Sequence, residues 1–466
     1  MSETTAGATL VAVLDAHPRS AESLHASTRQ AGWLEVRVEA DPSWLRAHFQ
    51  GKLLYAAGGG ADRLLAAARE YDFVNLTPEE CVPRVLEGIP AAQRVISAPC
   101  DAAEAALAIP ATLYRFTVHA YRSGDELVPL RLLRKLGRRD VTAYATGPIG
   151  TWSRIVAPWL GAPFVFENAG EIERLSSSFG FPELPPIEEL FGMVGNPVLH
   201  SYSPRIHNTA FRAQGRKALY VPFHVENFDD FRRNILESRE IEALGLTLNA
   251  LSIVSPYKAV ALDAAAGKSP MVAHAGSTNF FRRDDDGEWI AHTTDADGVL
   301  LTLRERGVQC RNKSVAVIGC GGSGRAMAAA LHQAGADVTL VNRGLERGNF
   351  ARDLLGLPFL PLRHFSGEAF SIVVNATPVG RDSDDIAFPV DSLKRDAVIV
   401  DLVYRDSPTQ LMSRTRGPGR ITVDGWDMLV TQALRQFRLM TGSDMPERLA
   451  RQALGFDEPA AVAVDV

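Results

Sequence analysis

The sequence predicts an α/β protein in which an N-terminal (β/α)8 barrel is followed by two further α/β lobes, the second of them a doubly wound dinucleotide-binding domain. Three observations carry the prediction. Between Thr9 and Gly170, eight short apolar runs alternate with stretches rich in Ala, Leu and Arg. Strands alternating with helices form parallel sheets, and eight such units close a barrel. At Val315–Gly324, VAVIGCGGSG is an apolar run that stops at Gly319 and meets Gly321, Gly322 and Gly324, with helix formers from Arg325 to Ala336 behind it. That is a strand, a tight turn and a helix, the context a glycine-rich phosphate cradle requires. Between these two regions, FGMVGNPVLHSYSPRIHNTAF opens a new pattern: a short strand at Met193–Val194, a turn-rich loop from Gly195 to Pro204, and a helix from Arg205 to Gln214.

Composition sets the outer limits. The chain has 466 residues, 46% of them hydrophobic and 22% charged, which is ordinary for a globular protein of two or three domains. A formal net charge of -6 without a long Lys/Arg run argues against nucleic acid or an anionic membrane as partner. Cys81, Cys100, Cys310 and Cys320 share no metal-ligand spacing, so no metal site is expected, and so few cysteines in so long a chain fit a reducing cytosol. The opening MSETTAGATLVAVL has no basic region ahead of its short apolar run, and no stretch approaches the ~20 residues that span a bilayer. A cytoplasmic protein with a small-molecule substrate is expected; the oligomeric state is left open.

The barrel strands are TLVAVLD from Thr9, WLEVRVEA from Trp33, KLLYAAG from Lys52, DFVNLTP from Asp72, QRVISAP from Gln93, ATLYRFTVHA from Ala111, DVTAYATGP from Asp140 and PFVFENAG from Pro163. The barrel is compact, well below the ~250 residues typical of the architecture. Chemistry in such barrels lies at the C-terminal strand ends, which singles out Glu35 and Arg37, Cys100 and Asp101, Arg115 and His119, and Arg154 behind GPIGTWSR. Taken singly, each also reads as an ion-paired rim residue. NAGEIERLSSSFGFPELPP, with Pro182, Pro185 and Pro186, ends the barrel and begins a linker.

Farther along, Ser201 and Ser203 are two hydroxyls on a loop that feeds a helix. With the helix N-terminus they make a site for a small carboxylate; the alternative is one capping serine and an idle neighbour. The strand DVTLVNR, from Asp337 to Arg343, selects the nucleotide. An NAD enzyme places Asp or Glu at its end to accept from the ribose 2′-hydroxyl. Here Asn342 and Arg343 stand there, with Arg347 one turn on, which favours a 2′-phosphate and hence NADP.

These motifs fall in an order that resembles shikimate dehydrogenases over about residues 191–455. GNPVLHSYSPRIHNTAF resembles the family's opening G-x-P-x-x-H-S-x-S-P-x-x-H-N, and LSIVSPYKAVAL its S-V-T-x-P-x-K segment. AGSTNF, HTTDADG, VAVIGCGGSG, VNR, NATPVG, DLVYRDSPT and VDGWDMLVTQALRQF follow as the family's later motifs do. The resemblance implies that Lys258 and Asp295 are catalytic, and that Ser201, Ser203, Asn279, Tyr404 and Gln432 hold the substrate. It implies that Gly319, Gly321, Gly322, Ser323, Gly324, Asn342, Arg343, Arg347, Thr377 and Gly425 hold NADP. Val254 replaces the family's Thr and Thr293 its Asn, which implies a lowered affinity or a shift toward a related ring acid.

The strand ends of the first region, WLEVRVEA, APCD, LYRFTVHA and ATGPIGTWSRI, resemble type I 3-dehydroquinate dehydratases. Glu35, Arg37 and Arg154 match substrate-site residues of that family. Arg115 stands where its Schiff-base lysine would lie, and Cys100 where its general-base histidine would lie. The expected barrel ligand site is therefore Glu35, Arg37, Arg115 and Arg154, without the dehydration chemistry.

The resulting organisation is a dehydratase-like barrel over 1–190, a substrate-binding α/β domain over 191–299 plus 425–455, and a Rossmann NADP domain over 300–424. The tail from Glu458 to Val466 is expected to be disordered, and the cleft between the two lobes to close on cofactor. Reducing a ketone needs a hydride donor over the carbonyl carbon and a group that protonates the developing alkoxide. Lys258 oriented by Asp295 meets the second need, although singly the two would read as a surface lysine and a turn cap. The implied reaction is the reversible, NADPH-dependent reduction of 3-dehydroshikimate to shikimate in aromatic amino-acid biosynthesis. A bifunctional dehydratase/dehydrogenase, a quinate/shikimate dehydrogenase, and a barrel that only binds or scaffolds are the alternatives.

Overall fold

The computed structural model describes residues 6–184 and 186–456, so Pro185 and the tail from Glu458 lie outside the described residues. The chain divides into two compact units, Met1–Leu248 and Asn249–Val466.

In the first unit all eight anticipated strands form: Thr9–Leu14, Trp33–Val36, Lys52–Tyr55, Phe73–Leu76, Arg94–Pro99, Leu113–His119, Val141–Thr146 and Phe164–Asn168. Each of the first six pairs in parallel with the next, and the eighth returns to the first through Thr9↔Phe164. The junction of the seventh and eighth strands departs from an unbroken ladder. There the Thr142 hydroxyl donates to the Phe164 carbonyl (3.4 Å) and accepts from the Phe164 amide (3.3 Å), so a buried side chain completes the circle. The connecting helices are short, such as Pro42–His48 and Pro83–Gly88, which is how eight units fit into so few residues. A strand period of two turns alternate residues inward. Val11, Val13, Leu54, Val95, Leu113, Tyr144 and Phe166 fill the barrel, closed beneath by Trp33 stacked on Phe73 at 4.2 Å.

Beyond the barrel, Glu189–Gly195 and Ala218–His224 pair in parallel around the helix Ser203–Ala213. The first strand is longer than the Met193–Val194 read from the sequence. Gly192 looks like a break in the pattern, yet a Cβ there would meet the Phe223 ring at 2.5 Å, so it is a point of close approach inside a continuous strand. The helix starts two residues before Arg205 because Pro204, which needs no amide partner in a first turn, begins it well.

The unit boundary falls within the strand Thr247–Ile253. In the second unit that strand pairs antiparallel with Phe280–Arg283, which pairs antiparallel with Trp289–His292. The doubly wound sheet follows, ordered Phe359–Pro361, Asp337–Asn342, Ser314–Ile318, Ile372–Asn375, Val398–Asp401, Thr422–Val423. Every neighbour pair is parallel, and in chain order this is 3-2-1-4-5-6, the dinucleotide-binding topology. Both faces are covered, one by Val315, Val317, Leu340 and Val374 with Met327 and Leu331, the other by Ala316, Ile318, Val341, Val373 and Ile399. The helix Gly425–Thr441 returns to pack on the helix Asp295–Glu305 and the strand Phe280–Arg283. No helix among the described residues is long and apolar enough to cross a membrane, and none of their His, Cys, Asp and Glu side chains cluster as a metal site.

Candidate active site

In the second unit, two loops and two helices converge on one carboxylate. Asp295 sits in the first turn of its helix, where the unsatisfied amides favour a negative charge, and it is only 3% exposed. Its Oδ2 accepts from Lys258 Nζ at 2.5 Å. Its Oδ1 accepts from Asn279 Nδ2 at 3.0 Å and from Gln432 Nε2 at 2.7 Å. Asn279 is itself held at both ends, donating to Thr294 Oγ1 (2.9 Å) and accepting from the Thr294 amide (2.7 Å). One turn beyond Gln432, Gln436 donates to the same Thr294 hydroxyl at 3.2 Å and accepts from Ser252 at 2.8 Å. The carboxylate is thus fixed in rotation, and the lysine amine is the partly exposed end of the network. Lys258, with 18% of its side chain exposed, makes one further hydrogen bond, to Ser323 Oγ at 2.8 Å.

The glycine-rich turn lies beside this network. The helix begins at Gly322, three residues before the expected Arg325, so Ser323 and Gly324 belong to its first turn. A Cβ on Gly324 would lie 1.8 Å from the Gly319 carbonyl oxygen, which fixes glycine there by close packing of turn on helix. The second strand ends at Asn342 rather than Arg343. Asn342 accepts from the Cys320 amide (3.2 Å) and donates to the Gly344 carbonyl (2.8 Å), tying the turn to the next loop. Arg343 and Arg347 are exposed, with no ion pair or hydrogen bond among the described residues. Thr377 donates to Asn375 Oδ1 at 2.7 Å, and Asn375 donates to the buried Asp401 at 2.8 Å, which also accepts from Thr409 at 2.7 Å. Burial pushes the Asp401 carboxyl above its ordinary range despite these donors. Tyr404 packs on Trp426 with ring centroids 5.1 Å apart, and Gly425 opens the last long helix. Ser201 and Ser203 lie in the first unit, half-buried, with Ser201 Oγ accepting from the Ser203 amide at 3.2 Å.

The barrel holds a separate charge cluster. Glu35 is fully buried and accepts from Arg37 Nε at 2.7 Å and from Arg115 Nη1. Burial alone would raise its pKa, but the Arg115 and Arg37 guanidinium charges outweigh that and hold the carboxyl below its ordinary value. Arg115 also donates to Ser97 (2.9 Å) and Asn75 (3.2 Å) and lies over the Phe166 ring at 4.7 Å. Arg154 pairs with Glu167 at 2.8 Å and stands over Tyr144. Cys100, behind its strand, has its thiol pushed up to about 12 by burial and by Asp101. His119 is exposed and contacts Thr146.

Comparison with known proteins gives this arrangement its context. Family models for the shikimate dehydrogenase substrate-binding domain and the shikimate 5′-dehydrogenase C-terminal domain match residues 193–281 and 425–454. The shikimate dehydrogenase (NADP(+)) of Methanothrix thermoacetophila is 35% identical over 280 residues, covering 57% of this chain and 98% of its own. The chain belongs to the shikimate dehydrogenase family. Among solved structures, shikimate 5-dehydrogenase from Thermus thermophilus in complex with NADP(H) and shikimate is similar at 29% identity with a TM-score of 0.51, over 57% of this chain and 99% of that one. The bifunctional 3-dehydroquinate dehydratase/shikimate dehydrogenase of Arabidopsis thaliana is 29% identical over 66% of this chain and 55% of its own length. That coverage runs past the dehydrogenase segment into the barrel.

In this member of the shikimate dehydrogenase family, Lys258, Asp295, Asn279, Gln432 and Ser323 form one hydrogen-bonded network, with Ser323 on the first turn of the helix behind the glycines. The sequence reading missed Ser252, Thr294, Gln436 and Arg325. Gln436 carried a signal, since it stands one helical turn after Gln432. Arg325 carried none: it is buried in the helix and donates to the carbonyls of Ala275 (2.9 Å), Gly276 (2.9 Å) and Cys320 (3.2 Å), fastening the Ser277–Asn279 loop to the turn.

Proposed function

We propose that this chain catalyses the reversible NADP-dependent interconversion of 3-dehydroshikimate and shikimate, with Lys258 as the proton-transfer group and Asp295 as the residue that orients it. The observation that carries the reading is the 2.5 Å Lys258–Asp295 pair, whose carboxylate is anchored on its far oxygen by Asn279 and Gln432. In the reductive direction Lys258 Nζ gives its proton to the oxygen of the ring carbonyl; in the oxidative direction the amine takes it back. Asp295 keeps Nζ in place and balances its charge. NADPH, when bound, supplies the hydride. The turn fits it: a helix N-terminus follows the glycines, and Arg343 and Arg347 present unpaired guanidinium groups at the strand end where a 2′-phosphate is read. Ser201 and Ser203 are assigned to the substrate carboxylate, and Tyr404, Thr377 and Gly425 to the nucleotide side of the site, on motif order. The proposed division is a barrel over 1–190, a substrate-binding domain over 191–299 plus 425–455, and an NADP domain over 300–424. Four unpaired thiols agree with the cytoplasm as the place of action.

The barrel is assigned no Schiff-base dehydration. Its two lysines lie away from the charge cluster: Lys52 starts its strand at the opposite end and pairs with Asp72, and Lys135 is exposed on the helix Leu127–Leu136. The deciding experiment is a steady-state assay of the full chain with shikimate, quinate and 3-dehydroquinate, each with NADP and NAD where oxidation is followed. Oxidation of shikimate with NADP is the expected activity. Turnover of quinate alone, or none, overturns the assignment.

A further inference from the structure

Lys258 donates in two directions, and only one of them belongs to the acid/base pair. Its second acceptor is the hydroxyl of Ser323, at 2.8 Å, on the first turn of the helix Gly322–Gln333. The two loops are fastened at this point from both sides. Ser277 Oγ donates to the Gly322 carbonyl at 2.9 Å, and the Thr278 amide donates to the Lys258 carbonyl at 2.7 Å. The lysine backbone, the Ser277–Thr278 segment and the nucleotide turn therefore form one hydrogen-bonded block, with the amine bridging from Asp295 to the turn.

We propose that Ser323 is a positioning residue for Lys258, not a nucleotide ligand: its hydroxyl fixes the amine from the nucleotide side, so that the proton donor and the hydride donor are registered by the same turn. This rests on the assignment of Lys258 as the proton-transfer group. A serine oxygen has two lone pairs and one hydrogen. Accepting from Lys258 uses one lone pair and leaves the hydroxyl hydrogen for a neighbour. With Asp295 alone, a flexible four-carbon side chain holds its amine at one point and swings about it. With Asp295 and Ser323 together it is held at two, and the third N–H direction is set. Proton transfer depends steeply on that direction, because a misplaced reacting group costs rate even when binding is intact.

The test is steady-state and binding analysis of the full chain carrying Ser323→Ala, Ser323→Thr or Lys258→Ala. Ser323→Ala is expected to lower kcat on the order of 10-fold, the effect of losing one hydrogen bond to a charged group, with the NADP Kd unchanged. Ser323→Thr, which keeps the hydroxyl, is expected to restore kcat to near that of the unaltered chain. Unaltered kcat in Ser323→Ala overturns the proposal, and so does an NADP Kd that weakens in step with kcat, which would make Ser323 a nucleotide ligand. If Lys258→Ala retains full turnover, the assignment of Lys258 fails and this inference fails with it. If Lys258→Ala is inactive while Ser323→Ala is not impaired, only the inference fails.

Discussion

Asp295 has every hydrogen-bonding direction that matters already filled, while Lys258 does not, and this asymmetry separates their roles. A carboxylate held by Asn279, Gln432 and Lys258 cannot move to take a proton from substrate without breaking bonds. The amine, partly exposed, can. Lys258→Ala is therefore expected to lower kcat on the order of 10²-fold or more, the usual contribution of a positioned acid/base group. Asp295→Asn should also lose turnover, because an amide nitrogen replacing one oxygen would face the donors of Asn279, Gln432 or Lys258. Near-normal turnover in either variant, measured by NADPH absorbance, contradicts the assignment. On the nucleotide side, Arg343 is exposed and makes no ion pair or hydrogen bond among the described residues. Arg343→Ala should raise the NADP KM and leave the NAD KM nearly unchanged, since only a phosphate contact is lost; equal weakening of both would mark Arg343 as structural. Arg325 and Asn342 are different in kind. Both spend their polar atoms on backbone groups and shape the loops that the exposed arginines flank.

At the scale of elements, the sequence disclosed most of what positions the site. The eight barrel strands were legible because apolar runs of the right length are bounded by turn residues, and the nucleotide domain because Val315–Gly324 joins a buried strand to a helix. Boundaries were less legible wherever glycine played a packing role. Gly192 lay just ahead of the strand read at Met193–Val194 and Gly322–Gly324 read as a turn, although both lie inside regular elements where a Cβ on Gly192 or Gly324 would clash. Barrel closure through Thr142 left no trace, since a threonine in a strand is unremarkable. Nor did the state of Glu126, which ends a barrel loop. It is buried, accepts from Trp152 Nε1 at 3.1 Å and the Gly124 amide at 2.7 Å, and burial pushes its carboxyl up to about 7. Between its ordinary value near 4.5 and about 7, the folded chain keeps a proton the unfolded chain has released, so stability falls as pH rises across that window and is flat above it. The expected loss is at most a few kcal/mol. Thermal unfolding of the full chain from pH 5 to 8 should show this decline, and Glu126→Gln should flatten it; an unchanged slope in the variant assigns the pH dependence to other groups.

For the molecule as a whole, the question is what a barrel does when it keeps the ligand-side charges of a dehydratase-like site but not its reactive amine. Dehydration through an imine needs a nitrogen with a free lone pair, and a guanidinium, protonated up to a pKa above about 12, has none to offer. Arg115 is committed further by its place in the barrel: Glu35, Ser97 and Asn75 take its donors, and Phe166 takes its face. Cys100 and His119 lie farther along their strand ends than Arg115, outside its charge cluster. The Cys100 thiol, pushed up to about 12, stays protonated at neutral pH, and His119 is exposed and bonded to Thr146. The Arg115–Glu35 pair instead has the character of a buried strut, since removing Arg115 would leave the buried Glu35 charge to the exposed Arg37 alone. Arg115→Leu is accordingly expected to destabilise the first unit by roughly 3–5 kcal/mol in urea unfolding, with no change in shikimate oxidation per folded molecule. Arg37 and Arg154 are ion-paired with Glu35, Asp15 and Glu167, so a ring carboxylate would compete with those partners for them; 3-dehydroquinate is expected to bind there without turnover. Borohydride reduction in the presence of 3-dehydroquinate, followed by mass spectrometry of the barrel peptides, separates these possibilities. No adduct is expected on Lys52 or Lys135. A reduced substrate adduct on either lysine, together with release of 3-dehydroshikimate in the untreated assay, would return the barrel to the enzymes and make the chain bifunctional.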